Sequence, residues 1–263
     1  MIHIIVATFK EAKFFIDELK LKKLNSAKEF QIFFGGEFTL TISGMGKLNS
    51  AMSVTTTYFE FGGKKNNCWV NVGLAGHKAH KIGELFIINK IVDKQNNNYY
   101  PYSPTLKSVK CISCTTYDKP DFSYSDSISD MELGGFYHAC NKYSYRELIH
   151  SLKIISDNRS ETINFKNEKQ IFELFKAKRE IFFCFFKKIE EIWNYYIRED
   201  FDFNEKINRL IKNIKATKTE RQQIRNMTKL IYLKTNNISE NLFLNNNPKK
   251  IISDLKRICD YEN

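Results

Sequence analysis

Residues Ile2–Ala7 read IHIIVA, an apolar run of six residues at the head of the chain. A strand of this kind is buried on both faces, as a parallel sheet requires. A helical pattern follows at once, with Phe14, Phe15 and Leu19 recurring on one face. Strand followed directly by helix points to an α/β domain.

The same pattern continues. Phe30–Phe34 and Glu37–Ser43 flank Gly35-Gly36 and read as a hairpin, and Leu48–Phe59 reads as a helix. Cys68–Val72 is a short apolar strand running into a loop, Gly73-Leu74-Ala75-Gly76. Glu84–Asp93 is rich in β-branched residues and reads as a strand. Residues 94–106 are polar, aromatic and carry Pro101 and Pro104, which makes them a loop. Val109–Thr116 reads as a strand, Glu132–Lys142 as a helix and Leu148–Ile155 as a strand.

After Asn158 the strand pattern ends. Glu168–Tyr196 reads as one long helix, with Ile171, Leu174, Phe175, Ile181 and Phe182 on its apolar side. Shorter amphipathic segments follow at Glu205–Ile214, Thr219–Leu233 and Pro248–Cys259, with residues 236–247 as an Asn-rich linker. The expected organisation is an α/β domain over residues 1–198 and a small helical extension over 199–263.

Composition narrows the function classes. No stretch approaches the roughly 18 uncharged apolar residues of a membrane span. The N-terminus lacks a basic lead-in and meets Lys10 and Glu11 too early for a signal peptide, so a soluble, cytoplasmic protein is expected. Lys and Arg number 41 against 30 Asp and Glu, a net charge of +11. From 161 to 263 there are 21 basic and 15 acidic residues, so the excess is spread along the chain rather than clustered. Arg221, Arg225 and Lys229 do repeat at i, i+4 and i+8. That row reads as a solvated basic face, with a nucleic-acid or protein partner as the weaker alternative. Cys111-Ile-Ser-Cys114 has metal spacing but falls in a strand-like run without a second pair, and His77-x-x-His80 has no third ligand in view. Neither supports a metal, and no cofactor is expected.

In open parallel sheets, ligands bind beyond the C-terminal ends of strands. The polar residues just past the expected strands are Thr8 and Glu11; Ser43-Gly44-Met45-Gly46-Lys47; Gly73–Gly76; and Ser156-Asp157-Asn158, and the segment after 127 adds Asp130-Met131-Glu132. Three carboxylates (Glu11, Glu132, Asp157) and two glycine loops thus converge on one edge.

The ordered set is more telling than any member. Ala7-Thr8-Phe9-Lys10-Glu11-Ala12, Ser43-Gly44-Met45-Gly46-Lys47, Asn71-Val72-Gly73-Leu74-Ala75-Gly76 with Lys81-Ile82-Gly83-Glu84, Asp130-Met131-Glu132 and Ile154-Ile155-Ser156-Asp157 follow one another over residues 1–160. This series resembles the nucleoside phosphorylase/nucleosidase superfamily, and within it the methylthioadenosine/S-adenosylhomocysteine nucleosidase-like hydrolases. The resemblance implies a three-layer α/β fold around a mixed, mostly parallel twisted sheet, with the C-terminal helices as an addition. It implies cleavage of a purine N-ribosidic bond. Asp157 matches the general acid that protonates the departing base, and Glu132 the carboxylate that grips the ribose hydroxyls. Glu11 matches the residue that activates the attacking water. Met131 would lie against sugar or base, Ser156 would support Asp157 or the base edge, and Leu74, Ala75 and Gly76 would line the substrate. Relatives are often homodimers that complete each other's sites, so a homodimer is expected.

Water rather than phosphate is the expected acceptor, with a phosphorylase or a non-catalytic nucleoside-binding module as the alternatives. Family phosphorylases place an Arg near the first loop and a hydroxyl in the third glycine loop, where this chain has no Arg and has Leu74. Glu11 would also repel phosphate. Lys153 stands where an Arg is common. A segment usual between the strands at 84–93 and 109–116, which supplies an aromatic for the base, is missing, leaving Tyr117, Phe122 or Tyr102 as its substitutes.

Overall fold

The N-terminal apolar run forms β1 (Ile2–Val6), buried along its whole length. It lies between two parallel neighbours, β4 (Phe38–Ile42) and β5 (Cys68–Gly76), so both edges of its backbone are paired. The computed structural model describes residues 1–25, 29–93, 97–235 and 237–261.

Ten strands form one mixed sheet among the described residues. β2 (Lys22–Lys23) and β3 (Gln31–Gly35) extend the β4 edge in antiparallel fashion. On the other side, β5 pairs in parallel with β10 (Ile149–Asp157). β10 pairs with β6 (Leu85–Asp93), β6 with β8 (Lys110–Thr116) and β8 with β9 (Ile128–Asp130). β9 touches β5 again at Ser129 and Gly76. Five strands therefore close a circuit, although β9 covers only the Cys114–Thr116 end of β8 and meets β5 at one residue pair. β7 (Asn97–Tyr99) adds to β6 inside what the sequence suggests is a loop; residues 94–96 of that stretch lie outside the described residues.

A second correction concerns Gly73–Gly76. These residues continue β5 as strand, because β10 hydrogen-bonds alongside them as far as Asp157 opposite Gly76. The register shifts between Ile155 and Asp157, and a bulge of this kind re-aims the side chains beside it.

Helices α1 (Phe9–Glu18) and α4 (Glu168–Lys176) form one helical layer, and α2 (Lys47–Glu60) with α3 (Leu133–Tyr143) another. In the first, Phe14 and Phe15 meet Phe175 and Phe182, with Phe15 and Phe182 ring centroids 5.0 Å apart. In the second, Val54, Phe136 and Cys140 close over Trp69 and Ile149. The long helix expected from Glu168 is two: α4 ends at Lys176, and α5 (Arg179–Ile211) begins after a break at Ala177 and Lys178. α5 then absorbs most of the expected segment Glu205–Ile214.

The chain divides into two compact units, Met1–Asn194 and Tyr195–Asn263. The second has its own core, in which Phe203, Ile207 and Ile211 of α5 pack with Ile224 and Ile231 of α6 (Lys218–Thr235) and Ile251 and Leu255 of α7 (Pro248–Tyr261). The stretch expected to be linker holds a 3₁₀ turn, Glu240–Phe243, that buries Phe243 in this core; residue 236 lies outside the described residues. The row Arg221, Arg225 and Lys229 is half-exposed, and each member also has a partner within the unit. Arg221 donates to the carbonyls of Ile211, Ile214 and Ala216 at 3.1, 2.7 and 3.3 Å, Arg225 to the side chains of Asn204 and Asn208, and Lys229 lies 5.8 Å from the centre of the Phe203 ring. No described helix is long and apolar enough to cross a membrane.

Candidate active site

Thr8, Glu11, Leu74, Ala75, Gly76, Met131, Glu132, Ser156 and Asp157 line a single cleft of about 580 Å³. Every site residue expected from the sequence is therefore in one place.

Glu11 is fixed by the start of α1. Thr8 caps the helix, its hydroxyl accepting from the Glu11 N–H at 3.4 Å, while Glu11 Oε2 accepts from the Thr8 N–H at 2.8 Å and hydroxyl at 2.9 Å. Oε1 accepts from the Leu74 N–H at 2.9 Å, tying the helix to β5. Gly73 makes this approach feasible: a Cβ there would meet Glu11 Oε1 at 3.1 Å and Lys153 Nζ at 3.5 Å.

Glu132 sits at the start of α3 and is buried. Its Oε1 accepts at 2.8 Å from the N–H of Gly46, which takes φ +100°. Lys47, next in sequence, holds that loop by ion pairs of 2.8 Å to both Asp93 and Asp118. Burial and the neighbouring carboxylates of Asp130 and Glu11 push Glu132 up to about 7, against the opposing pull of Lys153 and the Gly46 N–H.

Beneath it lies a pair the sequence reading missed. Lys153 is buried within β10 and forms a 2.8 Å ion pair with Asp130. Asp130 also accepts from the Thr116 hydroxyl at 2.7 Å and the Leu133 N–H at 2.9 Å. Burial would lower the Lys153 pKa, but Asp130 and Glu132 outweigh it and raise it. A lysine inside the apolar run Leu152–Ile155 was the signal for such a partner, since a buried charge is paired.

Asp157 ends β10. Its Oδ1 accepts from the Ser156 hydroxyl at 2.5 Å and its Oδ2 from the Tyr124 hydroxyl at 2.8 Å. Ser156 Oγ also lies 3.2 Å from the Ala75 carbonyl oxygen. Gly76 has to be glycine here, because a Cβ would come within 2.6 Å of Asp157 Oδ2. Of the three candidate aromatics, Phe122 lines the cleft with its side chain 73% exposed, beside Phe9 and Phe165. Tyr102 instead sits against His150, and Tyr117 is not among the lining residues described.

No protein-family model matches the sequence, and no curated protein matches it. Solved structures do. The Arabidopsis thaliana 5′-methylthioadenosine nucleosidase superposes with a TM-score of 0.59 at 13% identity, covering 73% of this chain and 95% of that one. The Campylobacter jejuni 5′-methylthioadenosine/S-adenosylhomocysteine nucleosidase gives 0.55 at 17% identity, covering 70% and 96%. A mutant futalosine hydrolase from Helicobacter pylori gives 0.52 at 16% identity, covering 68% and 98%. All three are matched over nearly their whole length, which leaves about a quarter to a third of this chain outside the common fold. The chain has the fold of these hydrolases, as the order of its motifs leads one to expect.

Proposed function

We propose that the protein is a purine-nucleoside N-ribohydrolase, cleaving the N-glycosidic bond of adenosine-type or 5′-modified nucleosides with water. The observation that carries this is the meeting of Glu11, Glu132 and Asp157 in one cleft large enough for a nucleoside. The fold shared with the two nucleosidases supports it.

The chemistry follows from the three positions. Loss of the base leaves a cationic sugar and an electron-rich purine. Asp157 delivers a proton to the base, and its flanking donors still leave each oxygen a second lone pair for that proton. Glu132, when ionised, accepts from the ribose hydroxyls and favours the positive charge growing on the ring. Glu11, whose oxygens are already oriented by Thr8 and Leu74, takes the proton of the attacking water. Leu74 and the absence of an Arg in the Thr8–Glu11 turn leave a phosphate with few donors.

We take the active form to be a homodimer. Met45, in the turn with Gly46 that supports Glu132, and Leu48, Met52 and Phe59 along α2 are exposed, and a second copy would cover them. A cytoplasmic setting accords with six free cysteines.

The test is base release from a nucleoside panel, with and without phosphate, for the parent and Asp157→Asn. The parent should release base without phosphate. Asp157→Asn should lose at least about a hundredfold in turnover, because general acid catalysis is typically worth ~10²–10⁴, with little change in affinity. Strict dependence on phosphate would make the enzyme a phosphorylase. Activity of Asp157→Asn within about threefold of the parent would remove the general-acid role, since so small a change is under 1 kcal/mol of barrier.

A further inference from the structure

Tyr124 lies between β8 and β9 and adopts φ +46°, the left-handed region that bulky residues rarely enter. Such conformations persist only where the surroundings over-determine them, and they gather at functional sites. The surroundings here are specific. The Arg159 guanidinium donates to the Tyr124 carbonyl at 3.4 Å, His77 Nε2 lies 3.3 Å from the Asp126 carbonyl oxygen, and Lys78 pairs with the Asp126 carboxylate. His77 belongs to the same stretch as Gly76, and its N–H donates to the Asp157 carbonyl at 3.0 Å. The turn carrying Tyr124 is thus pinned to the strand ends that carry the proposed acid.

The side chain uses this placement. Its ring crosses Gly76, where a Cβ would meet Tyr124 Cε1 at 3.0 Å, and its hydroxyl donates to Asp157 Oδ2 at 2.8 Å. Burial and the adjacent Asp157 push the phenol up to about 12, so it stays a donor at any working pH. Tyr124 thus touches two residues of the cleft wall, Gly76 and Asp157. The two partners of Asp157 also differ. Ser156 has an alternative acceptor in the Ala75 carbonyl and can reverse its hydrogen bond when Asp157 changes protonation.

We propose that Tyr124 is a positioning residue for Asp157, holding Oδ2 so that the carboxyl meets the base in one orientation through both of its protonation states. The proposal rests on the nucleosidase reading for its kinetic consequence.

Its test compares the parent with Tyr124→Phe, with Tyr124→Asn, and with Tyr124→Phe combined with Asp157→Asn. Asn tolerates the left-handed backbone and is too short to reach Asp157. Both single variants should lose about tenfold or more in kcat, since misplacing a catalytic group by ~1 Å can cost ~10²-fold, while KM stays within about twofold. Added to Asp157→Asn, Tyr124→Phe should cost nothing further. A crystal structure of Tyr124→Phe should show the Asp157 carboxyl displaced or split between rotamers. An unchanged kcat, a loss confined to KM, or the same loss in the Asp157→Asn background would overturn the proposal. So would an Asp157 that keeps one fixed rotamer in Tyr124→Phe. If the parent releases no base, the nucleosidase reading fails by itself, and the crystal structure still decides whether Tyr124 holds Asp157.

Discussion

Glu132 is caught between binding and stability. Gripping ribose hydroxyls calls for a carboxylate, whereas its burial and the nearby Asp130 and Glu11 raise it from 4.5 to about 7. With the folded value above the unfolded one, the folded state keeps a proton that the unfolded chain gives up. The resulting penalty is absent below about pH 4.5, grows with pH, and is complete above about 7. Glu132→Gln retains an oxygen to accept from Gly46 and removes the charge. It should therefore be more stable than the parent by about 2–3 kcal/mol at pH 8 and no more stable at pH 4, while base release collapses. Urea unfolding at the two pH values checks this, and equal stabilities at pH 8 would contradict it. Glu11 and Asp157 were legible in the sequence because each stands just past an apolar strand, where backbone geometry decides what faces the cleft, whereas Glu132 was legible from its place in the motif series. Tyr124 was not, since a turn has no periodicity and its contact with Asp157 spans 33 positions. Lys153 announced a buried partner without saying that the partner is Asp130.

Among the elements, β1 was readable from a continuous apolar run, β6 from its β-branched residues, and β8, β10, α2 and α3 were also expected near where they lie. The break between α4 and α5 was hidden for a physical reason. Phe175 and Phe182 pack on the same rings of α1 and are seven residues apart, which is also the spacing of one uninterrupted helix. In α6, spacing shows that the basic residues share a face but not which groups they bond. Arg221 satisfies the carbonyls that a helix C-terminus leaves without partners. Arg221→Ala should destabilise the second unit by about 1–3 kcal/mol, the cost of stranding part-buried carbonyls. Limited proteolysis should show earlier cleavage within 195–263, and parent-like resistance there would refute the capping role.

The whole molecule carries a net charge of +11 yet keeps an apolar stripe on α2, with Leu48 81% exposed and Phe59 67%. Light scattering should give about twice the 31.0 kDa chain mass for the parent and the single-chain mass for Leu48→Glu. A monomeric parent at tens of micromolar would remove the dimer. The closed circuit of strands has a further consequence, in the order of assembly. Helices of the second unit meet neighbours close in sequence, which favours rapid formation. β5 instead waits for β10, since Trp69 pairs with Ile149 across 80 positions of chain. During synthesis from the N-terminus, β5 therefore emerges long before the strand that shields its edge, and Glu11 exists long before Asp157. The open edge of β5 is the moment of greatest vulnerability to misassociation. Closing it and completing the candidate site are one event, so nascent chains halted short of β10 would hold neither.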